Sequence, residues 1–223
     1  MVRILAVADE VVESLWQPAV RAIAPDLVVA CGDLPFDYLE YLVSTLDRTL
    51  LFVPGNHDAD LSGLRYGRSG LPMTDGRPAR EIGPRGCLNV DGRVVDIGGV
   101  RIAGLGGCVR YRPGPNQYTQ RQYARRCWWL RRRVARAQRK DGHPLDLLLT
   151  HAPPLGCGDG TDRPHVGIAA LHPLVERSAP SLLLHGHIHK YGQHKPDRQL
   201  GSTTVVNVVG RRVLQLSAQL AVA

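Results

Sequence analysis

The chain has 223 residues, 43% of them apolar, and carries a formal charge of +8. That is enough to bury one core, and no apolar run approaches the length of a membrane span. Its five cysteines are scattered and never spaced as CxxC, which excludes a disulfide framework and a zinc ribbon and suits a reducing cytoplasm. The charge is uneven. Between Ile97 and Lys140 there are 12 Arg or Lys and no acid, so the remainder holds 16 basic and 20 acidic residues, a balance of −4.

The first apolar run, Ile4–Ala8, reads as a strand ending at Asp9. Glu13–Ala24 has helical spacing through Leu15, Ala19, Ala22 and Ile23, with Pro18 bending or shortening it. A second strand, Leu27–Ala30, runs into Gly32-Asp33, and Tyr38–Leu46 then sets Tyr38, Leu39, Leu42, Val43 and Leu46 on one helical face. Leu50–Val53 is a third strand and leads into Gly55-Asn56-His57-Asp58. Residues 59–86 show no period and many Gly, Pro and Arg, so they are expected to form a long loop beside the site.

Arg93–Ile97 and Val100–Leu105, split by Gly98-Gly99, predict a β-hairpin. Residues 116–140 form the longest helical pattern. Tyr123, Cys127, Leu130, Val134 and Ala137 make its core stripe, and one of Trp128 and Trp129 is expected to join the core. Leu145–Thr150 is a strand ending at His151, and Gly167–Arg177 a shorter helix interrupted by Pro173. Leu182–Leu184 runs into Gly186-His187-Ile188-His189, and Thr203–Val208 with Arg212–Leu216 predict a closing strand pair. No repeat or linker divides the chain, so residues 1–223 are expected to be one domain.

Five strand-like runs thus end in residues that bind metal ions, as if strands delivered ligands to one edge of a sheet. Taken alone, Asp9 fits a helix N-cap and His151 a packed core histidine. Taken together, Asp9, Gly32-Asp33, Gly55-Asn56-His57-Asp58, His151 and Gly186-His187-Ile188-His189 resemble the motif ladder of the calcineurin-like metallophosphoesterase superfamily. That ladder runs D-x-H, G-D, G-N-H-[DE], H and G-H-x-H.

The resemblance implies an α/β fold, a four-layer α/β/β/α sandwich with the metal site at the C-terminal ends of the strands. It implies two divalent ions, Mn, Fe or Zn given a mixed oxygen and nitrogen donor set. Asp33 would bridge them, Asn56, His151 and His187 would complete one site, and Asp9 and His189 would contribute to the other. The implied reaction is hydrolysis of a phosphate ester by in-line attack of a metal-activated hydroxide, with His57 as general acid.

Two departures matter. The first element reads Asp9-Glu10-Val11, so the Asp9/His189 site lacks its usual imidazole. It is expected to be weak and filled by water, to recruit Glu10, Glu13, His165 or His185, or to be empty. The second element lacks the arginine of protein phosphatases, which favours a phosphodiester, and it leaves Asp37 a doubtful partner for His57. Arg110, after the Gly104–Gly107 turn, is a candidate phosphate contact. Nucleic acid is a candidate partner through the arginines of residues 121–140. Two alternatives follow: a nuclease acting on single strands through that helix, and a non-catalytic scaffold on the same fold.

Overall fold

The computed structural model describes residues 1–66, 72–74, 77–79, 82–189 and 196–217. A five-stranded sheet has the order β16 (Gly210–Leu216), β1 (Val2–Ala8), β2 (Leu27–Ala30), β3 (Leu50–Phe52) and β7 (Cys87–Asn89), parallel except for β16. A six-stranded sheet has the order β14 (Arg198–Leu200), β15 (Thr203–Asn207), β13 (Leu182–His185), β12 (Leu147–Thr150), β9 (Val100–Leu105) and β8 (Val94–Ile97). Its four central strands are parallel and both edges antiparallel.

The inner strands β1, β2, β3, β12 and β13 are largely apolar runs because both faces are covered, whereas edge strands such as β16 alternate with exposed residues. In β1, Ile4, Ala6 and Ala8 face the core between the sheets, while Leu5 and Val7 face outward to α1 (Phe36–Leu46). In the second sheet, Val100, Ile102, Leu147 and Leu149 enter the same central core. Ala103, Leu105 and Leu148 face α2 (Gln120–Asp141) and α3 (Leu171–Ser178). The period of two along each strand thus produces the four layers.

Several expectations change. The helix over Glu13–Ala24 is two 3-10 turns, Glu13–Leu15 and Pro18–Ile23. Pro18 brings no N–H and holds Gln17 extended, so one helix cannot cross it. Within 59–86, β4 (Leu64–Tyr66), β5 (Pro72–Thr74) and β6 (Arg77–Pro78) form a small antiparallel sheet, whose strands are too short to show a period; parts of that segment lie outside the described residues.

The expected closing pair separates: β15 stays in the second sheet and β16 crosses to β1. The Asn207 side chain accepts the Val209 N–H, and Gly210 takes a left-handed φ of 74° at the crossing. Pro173 lies in the first turn of α3 and does not interrupt it. α2 starts later than expected, at a capping box of Thr119 and Gln122. The residues before it pair as β11 (Gln117–Tyr118) with β10 (Cys108–Val109). Neither tryptophan of α2 is in the core: Trp128 is 42% and Trp129 52% exposed. Among the described residues no helix is long and apolar enough to cross a membrane.

Candidate metal centre

The ligand-bearing strand ends belong to two sheets, not to one edge. β1, β2 and β3 deliver Asp9, Asp33 and Asn56 from one, while β12 and β13 deliver His151 and His187 from the other. Ligating atoms of Asp33, His151 and His187 lie within 4.8 Å of one another. The Asn56 Oδ1 is 2.9 Å from His151 Nε2, and Asp33 Oδ2 is 3.3 Å from the same nitrogen.

The tautomers follow from the fixed carbonyls. His151 Nδ1 is 2.7 Å from the Cys31 carbonyl oxygen, and His187 Nε2 is 2.9 Å from that of Pro164. A carbonyl only accepts, so each of these nitrogens carries a proton, leaving His187 Nδ1 with a lone pair and His151 Nε2 to take a second proton or a metal ion. His151 Nε2 faces two oxygen acceptors, an arrangement that a second ring proton or a bound cation relieves. The donor set of carboxylate, amide oxygen and two imidazoles fits a divalent transition metal.

Electrostatics favour positive charge at His151. Burial works against charge on His151, yet the Asp33 carboxylate outweighs it and pushes the imidazole up to about 9. Burial likewise disfavours charge on Asp33, but His151 and the His57 backbone N–H hold it below the usual carboxylate range. His187, buried and next to His151, falls to about 3 and stays neutral, as a ligand must. Desolvation lifts Asp9 to about 6.

Three of these positions are left-handed without being glycine: Asp9 (φ 60°), Asp33 (φ 55°) and His187 (φ 66°). Such backbone is costly and concentrates at functional sites. Asp9 and His187 each sit in a tight turn closed by an i+2 hydrogen bond, Glu10 N–H to Ala8 O and Ile188 N–H to Gly186 O. The glycines beside the ligands allow close approach. A Cβ on Gly55 would lie 2.0 Å from Asp33 Oδ1, and one on Gly186 would lie 2.2 Å from Asp9 Oδ2.

His57 is exposed, and its backbone N–H donates to Asp33 Oδ1 at 2.8 Å. Asp37 accepts the Tyr38 N–H at the start of α1. Arg110 is exposed and donates to the Gln117 carbonyl and Gln122 Oε1. His189 Nδ1 pairs with Glu10 Oε1 at 3.0 Å, outside the central cluster. Of the other substitutes for the missing imidazole, Glu13 is exposed on its 3-10 turn. His165 pairs with Asp162 and packs 5.5 Å from the His187 ring. His185 is buried against the Gly186 carbonyl. Val11 is 40% exposed.

Residues that sequence reasoning left without a role hold the loops. Asp58 Oδ2 accepts the N–H groups of Asp33 and Gly55. Asn116, buried with φ 50°, donates to the carbonyls of Gly55 and Asp58, clasping the second half of the chain onto the first. Tyr111 accepts from Asn56 Nδ2 at 3.3 Å. Asp58 was legible as the last residue of its motif; Asn116 and Tyr111 carry no local signal.

The model of the calcineurin-like phosphoesterase family matches residues 5–191. The chain belongs to this family. Members are metal-dependent phosphoesterases, and the Asp33, His151 and His187 cluster is a candidate for the ion. One solved crystal structure is 14% identical, with a TM-score of 0.58 over 96% of this chain and 99% of that one. TT1561 of Thermus thermophilus is 16% identical, with a TM-score of 0.58 over 94% of this chain and 89% of that one. At such identities the likeness is of fold alone. No curated protein matches the chain.

Proposed function

We propose that the protein hydrolyses a phosphodiester with His57 as general acid and Asp33, Asn56, His151 and His187 as ligands of the principal ion. The carrying observation is the convergence of those four donors from two sheets, with His57 exposed one residue beyond Asn56. A divalent ion of Mn, Fe or Zn bound there would supply Lewis-acid charge to the phosphoryl group and acidify water. A second, weaker ion is expected near Asp9 and His189, where Val11 stands in place of the motif's imidazole.

The chain's own residues do the rest. Asp33 holds the His57 backbone on one oxygen and faces His151 with the other, so the metal ligand and the acid share one rigid support. The exposed His57 imidazole gives its proton to the leaving oxygen as the P–O bond breaks. A diester carries one negative charge where a monoester carries up to two. The missing protein-phosphatase arginine of the second motif supports the less charged substrate, and Arg110, exposed and donating to the neutral Gln117 and Gln122 oxygens, keeps its charge for the phosphate. The five thiols, none in a disulfide, support a reducing, cytoplasmic setting. The core shared by both sheets supports reading residues 1–223 as one domain.

Metal-stripped protein with Mn²⁺ restored should turn over bis-p-nitrophenyl phosphate faster than p-nitrophenyl phosphate. Failure to hydrolyse either with any of the three metals would overturn the proposal and favour the scaffold reading.

A further inference from the structure

The remaining charge of the molecule is concentrated away from the metal centre. Helix α2 spends Tyr123, Cys127, Leu130 and Val134 on the core, and this rotates Trp128 and Trp129 to the outside. The two rings pack edge to face at 4.6 Å, and the Arg132 guanidinium lies 4.9 Å over the Trp128 ring. Beside them runs a groove of about 920 Å³ between α2 and α3, lined by Trp129, Arg132, Arg136, Arg139 and Arg177 among others, with no carboxylate among the described residues of its walls. The nearest acid on α2, Asp141, is held by the buried Arg101 at 2.6 Å.

The helix ends do not account for this charge. Two C-termini supply about −0.5 each, roughly −1 in all, against six arginines in the lining: Arg131, Arg132, Arg133, Arg136, Arg139 and Arg177. Nor does the groove feed the metal centre. α2 ends at Asp141, shortly before Asp146, which leads into β12, whereas His151 stands just past that strand's far end. Five extended residues separate those ends by about 16 Å.

We infer that this groove binds single-stranded nucleic acid. Guanidinium groups suit phosphates, exposed indole faces suit unpaired bases, and their interleaving is the chemistry of single-strand binding. An anionic bilayer is a poorer match, because the apolar stripe of α2 is already buried in the protein and only two indoles remain to insert. The surface serves to hold a polyanion, and does so independently of the hydrolytic reading.

The test is fluorescence anisotropy of labelled 12-nucleotide single strands, DNA and RNA, titrated with the full chain from 50 to 300 mM salt. Saturable binding is expected, with a log–log salt slope of about −3 for four phosphate contacts. Arg136→Glu with Arg139→Glu should weaken it more than tenfold and flatten the slope, and Trp129→Ala should weaken it about tenfold. His151→Ala should bind within about twofold of the unaltered chain, which separates this surface from the metal centre. Circular dichroism checks that each variant is folded, and Arg136→Gln with Arg139→Gln is the milder substitute if charge reversal unfolds the protein. No saturable binding at 50 mM salt, equal affinity after charge removal, or tighter binding to duplex or to phosphatidylserine vesicles would each overturn the inference.

Discussion

The backbone N–H of His187 donates to both carboxylate oxygens of Asp9, at 2.9 and 3.1 Å. One bond network therefore ties the last ligand loop of the second sheet to the first ligand loop of the first sheet. Gly186 makes the approach possible, since any Cβ there would meet Asp9 Oδ2.

Gly186→Ala should push the Asp9 carboxylate away and release the His187 backbone. The imidazole then loses its aim, and affinity for Mn²⁺ should fall about 10- to 100-fold, the usual cost of disturbing the groups that orient a ligand. Isothermal titration of the stripped protein measures it. An unaltered affinity would show that the seam does not position His187.

His57→Ala keeps the backbone N–H that donates to Asp33. Ion content should stay unchanged while kcat falls about 10²- to 10⁴-fold. The loss should be smaller with a p-nitrophenolate leaving group, which needs no proton, than with an alkyl alkoxide. Equal losses for both would remove His57 as the acid.

His151→Ala removes the nitrogen that faces both Asn56 and Asp33, so elemental analysis after dialysis should show the tightly held ion gone. His189→Ala should leave it in place, because His189 pairs with Glu10 outside the central cluster. Loss of the tight ion from His189→Ala, with His151→Ala unaffected, would invert the assignment.

Acid stability should depend on Asp141. Its hydrogen bonds to Arg101 hold its carboxyl down to about 2, against an ordinary 3.8. A group depressed in the folded state stabilises above its unfolded pKa and loses that contribution as pH falls through the folded one. Urea midpoints should therefore drop between about pH 4 and pH 2. Asp141→Asn should flatten that drop and lower the midpoint at neutral pH. A profile identical to the unaltered chain would contradict it.

Much of this was legible locally. Both-face burial makes β1, β2, β3, β12 and β13 read as apolar runs, and each ligand stands within one to four residues of its strand's end: Asp9 after Ala8, Asp33 after Ala30, Asn56 after Phe52, His151 after Thr150 and His187 after His185. The core stripe of α2 followed from its spacing at Tyr123, Cys127, Leu130 and Val134. Where the reading failed, the cause was non-local or too short to show a period. The two halves of the closing pair join different sheets, and neither Trp128 nor Trp129 takes the core place expected of one of them, because the core stripe already fills the contact with the second sheet.

Which residues can bind a metal, their order, and the strands that end in them are local matters, because burial and turn chemistry are written within a few neighbours. The packed fold brings those ligands together from two sheets and sets the carbonyls of Cys31 and Pro164 against the imidazoles. It also decided that Asn116 clasps the Asn56 loop and that the arginines of α2 gather with Arg177 at the opposite end. Those relations join residues up to 178 positions apart, as in His187 and Asp9. Such a contact exists only once two independently formed sheets have packed, and no local pattern encodes that packing.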